Sequence, residues 1–287
     1  MIKLFISDLD GTLLHGEQFT SVEVGNMELG EAIKANVGKL AEHGIDFAIA
    51  TGRYVNDIAV IEQELGLQNK HYRVALNGAF IYYGDEKLIS KAVDTKTALA
   101  FIETIKSQYS RQSHFFNVYF EYNEKYLYPF KWYTRLFSGV FLKRMHAQKW
   151  HAGIIDNIRS EKRPVYKFLI GIHENALVKV QSELEELYPQ LSIFASSPRS
   201  IEVCAPGVDK GEAIKEIMKR MNLTPDEVAF VGDSGNDVSG FKVVTHSFIM
   251  SHAHKRYKKD AKYEVHSVSE AIEQVLAINK SGEVLSY

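Results

Sequence analysis

The opening residues, Ile2 to Ser7, form a short and mostly apolar run that stops at Asp8-Leu9-Asp10-Gly11-Thr12, the pattern of a buried strand ending in a polar loop. Residues 30 to 43 carry Ile33, Val37 and Leu40 at helical spacing and close at Gly44, a helix-terminating signal. A second strand-like run, residues 45 to 51, precedes a helix over 54–65 with Ile58, Ile61 and Leu65 on one face. Val74-Ala75-Leu76 then leads into Asn77-Gly78. Strand, helix, strand, helix, strand predicts an α/β fold with a parallel sheet covered by helices on both faces. Ligand chemistry in such sheets belongs at the carboxyl ends of the strands. Asp8, Thr51 and Asn77 each stand where a strand runs out, so all three are expected to face one crevice.

From about residue 84 to 206 this rhythm is lost. Residues 115 to 137 hold eleven aromatics, from Phe115 to Phe137, of the 16 Phe, 15 Tyr and 2 Trp in the whole chain. Aromatic side chains favour strands and dominate core burial, so the stretch reads as the core of a small α+β domain; a substrate-facing or dimer surface is the other reading. After Lys210 the first rhythm returns. A helix over 211–222 carries Ile214, Ile217, Met218 and Met221, a strand over 228–233 ends in Asp233, and a last helix over 268–278 follows. The expected organisation is a core of residues 1–83 and 207–287 with residues 84–206 inserted as a second domain.

Composition narrows the function classes. At 287 residues, with 45% hydrophobic and 24% charged positions, the chain can bury a core and is far from the balance of disordered sequences. A net charge of −2 supplies no field of the kind that attracts nucleic acid. One cysteine, Cys204, excludes an internal disulfide framework and a cysteine-rich zinc site, and a reducing compartment fits it. Met1 is followed too soon by Asp8 for a signal-peptide core, and no stretch approaches the roughly 20 apolar residues of a membrane helix. A soluble, cytoplasmic protein is the expectation. Neither a Gly-x-Gly-x-x-Gly nor a Gly-x-x-x-x-Gly-Lys-Ser/Thr pattern occurs, so dinucleotide and P-loop readings lack their signature.

The acidic stretch after the first strand carries the most specific chemistry. A carboxylate such as Asp8 can attack phosphorus and form an aspartyl-phosphate. Two anions must then meet, which calls for a divalent cation, and oxygen ligands suit Mg²⁺. Asp10, two residues on, can protonate a leaving alkoxide and later deprotonate water. Gly11 lets the backbone turn sharply near a phosphoryl group. Taken alone, the pair also reads as two acids capping a loop. Thr51-Gly52-Arg53 offers a hydroxyl and a backbone N–H to a phosphoryl oxygen, or is simply a turn. Lys210, opening a helix, adds an ammonium to the positive end of the dipole, or is a solvated lysine. Gly232-Asp233-Ser234-Gly235-Asn236-Asp237 brings two carboxylates and an amide to another strand end, suited to holding a cation or to an acidic turn.

In this order the motifs resemble those of the haloacid dehalogenase (HAD) superfamily. Asp8-Leu-Asp10-Gly-Thr12-Leu-Leu, Ala50-Thr51-Gly52-Arg53, Asn77-Gly78, Gly207-Val-Asp-Lys210-Gly211 and Gly232-Asp233-Ser-Gly-Asn236-Asp237 look like the motifs of its Cof-type phosphatases, over essentially the whole chain. The resemblance implies a Rossmann-like parallel-sheet core with an inserted α+β cap that selects substrate. It implies that Asp8 is the nucleophile and Asp10 the general acid/base, which also lends its backbone carbonyl to the metal. Thr51, Gly52, Lys210 and Asn236 would hold the phosphoryl group, and Arg53 and Asn77 would contact substrate. Asp8 and Asp233 would ligate Mg²⁺, with Asp237 supporting.

The implied activity is hydrolysis of small phosphomonoesters, sugar phosphates foremost. A phosphomutase, or a regulatory protein that binds sugar phosphates with little turnover, are the alternatives. The partner expected is a phosphorylated small metabolite, with no nucleic acid and no membrane; oligomeric state is left open. Two departures stand out. Met250-Ser251-His252-Ala253 occupies the place where family members often carry Gly-Asn-Ala, and the segment before the helix near residue 30 is long. The basic run from His252 to Lys262 reads as a solvated face and His15 as a loop histidine.

Overall fold

The computed structural model describes residues 1–14, 29–67, 71–136, 139, 142–143 and 146–281. His15 and Phe137 lie outside the described residues, as does most of the long segment after the first motif. The chain begins with β1 (Leu4–Ser7), α1 (Glu31–Glu42), β2 (Asp46–Ala50), α2 (Val55–Glu64), β3 (Tyr72–Ala75), β4 (Phe80–Tyr83) and β5 (Glu86–Ser90). It continues through α3 (Thr95–Gln108), β6 (Ser113–Tyr119), β7 (Lys125–Pro129), α4 (Trp132–Leu136), β8 (Gln148–Lys149), α5 (Gly153–Arg159), β9 (Lys167–Ile172), α6 (Leu177–Leu187), β10 (Ser192–Ser197) and β11 (Ser200–Cys204). It ends with α7 (Lys210–Met221), β12 (Val228–Gly232), α8 (Val238–Phe241), β13 (His246–Met250), α9 (Lys255–Lys258), β14 (Tyr263–Val265) and α10 (Val268–Ser281). These elements fall into two units: Met1–Ser90 with Asp209–Tyr287, and Lys91–Val208.

The first unit is an α/β body around an eight-stranded sheet in the order β14-β13-β12-β1-β2-β3-β4-β5. From β14 to β3 every pairing is parallel, as the alternation of elements predicts, while β4 and β5 turn back antiparallel. The sheet therefore runs on through β5, past position 84 where the sequence pattern starts the insertion. Val74 and Ile81 are opposite partners across β3 and β4, so the apolar layer extends onto the hairpin.

Alternation along the strands assigns the two faces. Leu4, Ile6, Ala48, Val228 and Phe230 pack with Ala213, Ile214, Ile217 and Met218 of α7. Phe5 and Phe47, offset by one position, stack with ring centroids 6.1 Å apart on the other face. α1, whose Ile33, Val37 and Leu40 are buried, packs against α10 and β2. Fully burying side chains of this kind contributes about 1.5–3 kcal/mol each.

The second unit is a six-stranded sheet in the order β10-β11-β9-β6-β7-β8, antiparallel except for the β7–β8 pair. Phe101 of α3 meets Phe168 of β9 at 4.8 Å between ring centroids, and Phe116 stacks on Phe168 at 5.5 Å. Phe116, Tyr119, Phe120 and Tyr126 are buried, so much of the aromatic run fills the α+β core. Tyr122 and Trp132 are exposed at 85% and 72%, and those two rings do not.

Candidate active site

The site lies in the first unit, at the carboxyl ends of its central strands. β1 stands between β12 and β2 in parallel register, Ser7 opposite Val231 on one side and Ile49 on the other. The residues just past those strands are Asp8, Asp233 and Thr51, so register alone brings three polar positions to one edge of the sheet. The Asp8 N–H donates to the Val231 carbonyl at 3.0 Å and the Thr51 N–H to the Val74 carbonyl at 2.9 Å, which ties the strand ends together.

Lys210 joins from the first position of α7, whose N-cap Asp209 accepts a hydrogen bond from the Glu212 N–H at 2.9 Å. The Lys210 side chain is wholly buried, and its Nζ lies 2.6 Å from both Asp8 Oδ1 and Asp237 Oδ1. Asp237 is equally buried, and its Oδ2 accepts the backbone N–H groups of Asp233 and Ser234, each at 3.0 Å. The loop 232–237 is thus folded over one carboxylate. Gly232 permits it, because a Cβ there would sit 2.4 Å from Asp237 Cγ. Thr12 completes the cluster, its hydroxyl lying 3.4 Å from Asp8 Oδ2 and 3.3 Å from Asp233 Oδ1.

Three carboxylates, those of Asp8, Asp233 and Asp237, offer oxygens within 4.8 Å of one another around a single ammonium. Burial, with the Asp237 and Asp233 charges adding to it, raises the Asp8 pKa well above its ordinary value despite the opposing pull of Lys210. Burial and then the Asp237 carboxylate push Asp233 up to about 7. Burial disfavours the charge on Lys210 as well, yet Asp237 and Asp8 outweigh it and hold that pKa above the ordinary lysine value. An all-oxygen donor set with more negative charge than its lysine can balance fits a hard divalent cation. Asp8 and Asp233 are suited to hold it. Both oxygens of Asp237 are already engaged by Lys210 and the loop.

A second set of polar groups lines the same edge. Asn77, in a left-handed conformation with φ 59°, donates its N–H to the Thr51 carbonyl at 2.9 Å. Its side-chain oxygen accepts from Asn236 Nδ2 at 3.1 Å, and Asn236 Oδ1 accepts from the Ser234 hydroxyl at 2.6 Å. The Thr51 hydroxyl accepts the Arg53 N–H at 3.2 Å. Gly52 lies half-buried in that turn. Asp10 stands apart from the three clustered acids: its carboxylate is 61% exposed and forms a forked ion pair with Arg53, Nε donating to Oδ2 at 2.7 Å and a terminal nitrogen to Oδ1.

Asp8 and Asp237 therefore meet at Lys210 with Asp233 beside them, while Thr51, Asn77 and Asn236 form a hydrogen-bonded chain and Asp10 and Arg53 a separate pair. Thr12 and Ser234 also belong to the site, and both stand inside the motifs at the strand ends without a local signal of a side-chain role. His252, which the sequence places both in the Met250–Ala253 departure and at the head of a solvated basic run, has its Nε2 3.9 Å from Asp233 Oδ2.

The chain matches the family model of the haloacid dehalogenase-like hydrolases over residues 5–276. The 5-amino-6-(5-phospho-D-ribitylamino)uracil phosphatase YwtE of Bacillus subtilis is 25% identical over 291 residues, covering 94% of each chain. The HMP-PP phosphatase of Cronobacter sakazakii is 24% identical, covering 88% of this chain and 85% of its own. The crystal structure of SMU.1108c from Streptococcus mutans UA159 shares the fold, with a TM-score of 0.78 at 21% identity over 96% of this chain and 100% of that one.

Proposed function

Because the chain belongs to the haloacid dehalogenase-like hydrolase family, we propose that it is a Mg²⁺-dependent phosphatase of small phosphomonoesters, sugar phosphates foremost, working through a phosphoaspartate on Asp8. The observation that carries this reading is the cluster of Asp8, Asp233 and Asp237 around Lys210. A relative's name supports the substrate class, since the Bacillus subtilis protein is named for a compound with a phosphorylated ribityl chain.

An oxygen of the Asp8 carboxylate attacks the phosphorus of the ester. The bond from phosphorus to the ester oxygen breaks as the Asp10 carboxyl gives its proton to the departing alkoxide. Asp10, now ionised, then takes a proton from water, whose oxygen attacks the phosphorus. The bond to Asp8 breaks, inorganic phosphate leaves, and both carboxyls return to their starting states. For this work Asp10 must be reachable by substrate, which accords with its exposure; the ion pair with Arg53 aims its ionised form, the one that takes a proton from water.

Lys210 holds the attacking carboxylate and balances charge, while Thr51, Gly52 and Asn236 supply donors for the phosphoryl oxygens. Arg53 and Asn77 serve the substrate beyond its phosphate. Bound through Asp8, Asp233 and the Asp10 carbonyl, Mg²⁺ would offset the repulsion between the nucleophile and the phosphate anion. Substrate choice is assigned to the second unit, because the catalytic set comes from the first. The single Cys204, free and buried, supports a reducing, cytoplasmic setting.

The test is phosphate release from a panel of phosphorylated metabolites in the presence of Mg²⁺, comparing the wild type with Asp8→Asn. Release of free phosphate by the wild type, abolished in a variant with an unchanged circular dichroism spectrum, is expected. Undiminished turnover in the variant refutes the assignment, and an isomeric sugar phosphate as product would replace hydrolysis with mutase chemistry.

A further inference from the structure

Lys210 reaches its two carboxylates on a flexible four-carbon stem, so the place of its ammonium depends on where the backbone beneath it is fixed. That backbone is the first turn of α7, where the leading N–H groups of a helix have no partner inside it. Asp209 Oδ1 accepts one of them, the Glu212 N–H, at 2.9 Å. The Gly211 N–H, next to Lys210, donates at 3.1 Å to the Ser239 hydroxyl, which belongs to α8 and lies 28 residues further along the chain.

The two helices meet backbone to backbone at this bond. A Cβ on Gly211 would lie 2.5 Å from the Ser239 carbonyl oxygen and 3.0 Å from the Ser239 Cβ, so a glycine is what lets α8 come this near. The α8 side of the contact is itself anchored, because Asp237 Oδ2 accepts the Asp233 and Ser234 N–H groups at 3.0 Å each. Asp237 also accepts Lys210 Nζ at 2.6 Å. Residues 237 and 239 therefore take hold of Lys210 twice, at the tip of its side chain and through the amide that follows it.

The geometry points to Ser239 as a positioning residue for Lys210: its hydroxyl accepts the Gly211 amide, fixes the first turn of α7 against α8, and so keeps the ammonium between Asp8 and Asp237. This rests on the functional reading above, in which Lys210 holds the attacking carboxylate. Ser239 acts through the backbone and then through the lysine. What position 239 must supply is an acceptor oxygen, which threonine also carries and alanine does not.

The test compares phosphate release by wild type, Ser239→Ala and Ser239→Thr at a temperature where each is folded. The kcat of Ser239→Ala is expected to fall about 10-fold at an unchanged KM, part of the roughly 10²-fold that a 1 Å misplacement can cost, and Ser239→Thr to recover most of the loss. A Ser239→Ala variant with wild-type kcat overturns the proposal, whatever its melting temperature, and so does a threonine variant as slow as the alanine one. Thermal melting keeps this separate from the functional reading. It is followed with Ser239→Ala alone and combined with Lys210→Met, at pH 5, where carboxylates left without their lysine can take up protons. Ser239→Ala should lower the melting temperature when Lys210 is present and by clearly less in the Lys210→Met background, because the hydroxyl then has no ion pair to support. Equal losses in both backgrounds overturn the proposal without reference to activity. A wild type that releases no phosphate removes the functional reading, and the melting comparison still decides the part played by Ser239.

Discussion

Lys210 Nζ lies 2.6 Å from Asp8 Oδ1, although 202 residues of chain separate them and neither side chain is more than 5% exposed. Such a pair is held by mutual dependence: each charge is tolerable in the interior only because the other is there. Removing one partner of a buried pair costs about 3–5 kcal/mol. Lys210→Met should therefore destabilise the protein by about that much at neutral pH, and by less at pH 5, where the orphaned carboxylates can take up protons. Urea denaturation at both pH values measures it; a variant as stable as wild type at pH 7 contradicts the pairing.

The acid cluster also sets a pH dependence in the absence of metal. With a pKa raised from 3.8 to about 7 by burial and then by Asp237, Asp233 binds its proton more tightly in the folded chain than in the unfolded one. Its contribution to stability is complete below pH 4 and is lost as pH rises through about 7, at about 1.4 kcal/mol per pH unit within that window. Denaturation in EDTA from pH 5 to 7.5 should show this fall, and added Mg²⁺, which binds the ionised form, should offset it at the upper end. A metal-free protein whose stability climbs across this range would argue against the assignment.

Gly11 should tolerate no side chain. Its φ is +78°, and a Cβ would meet Asp233 Oδ2 at 2.5 Å. Gly11→Ala is expected to cost about 1–3 kcal/mol through backbone strain and to weaken Mg²⁺ binding by displacing Asp233. Denaturant midpoints and Mg²⁺ titration report the two effects separately, and an alanine variant with wild-type values in both would show that the turn can relax.

Arg53 offers the opposite case. Its pair with Asp10 is exposed, and exposed pairs contribute about 0–1 kcal/mol, so Arg53→Met should leave unfolding nearly unchanged. Turnover should fall by about 10-fold or more, because an acid/base group contributes on the order of 10²–10⁴ only while correctly aimed. Steady-state kinetics beside a denaturation curve separates the two; loss of stability with intact kcat would reverse the interpretation.

The parts of the site readable from sequence share one physical cause. Asp8, Thr51, Asn77 and Asp233 each follow an apolar run that stops, and in a parallel sheet those stops fall on one edge. Lys210 is readable because it stands just before the helical spacing of Ile214, Ile217, Met218 and Met221. What the pattern concealed depends on pairing between distant segments. Tyr82-Tyr83-Gly84-Asp85 carries a turn signal, but nothing local says that β4 and β5 extend the core sheet and do not begin the insertion. β13 and β14, five and three residues long, are too short to stand out from the basic run between them. The Arg53–Asp10 pair and the approach of His252 to Asp233 likewise arise only when strand register is in place.

The central position of β1, flanked by β2 on one side and β12 on the other, bears on how the protein is made. During synthesis β1 and β2 emerge early, yet the other neighbour of β1 is translated only after the whole contiguous Lys91–Val208 unit, which is free to fold meanwhile. Until the ribosome passes Gly232, the hydrogen-bonding edge of β1 stays open, a surface inviting wrong partners. Asp8 has neither its lysine nor its companion acids during that interval. The acid cluster around Lys210 can therefore assemble only late in translation, together with closure of the sheet.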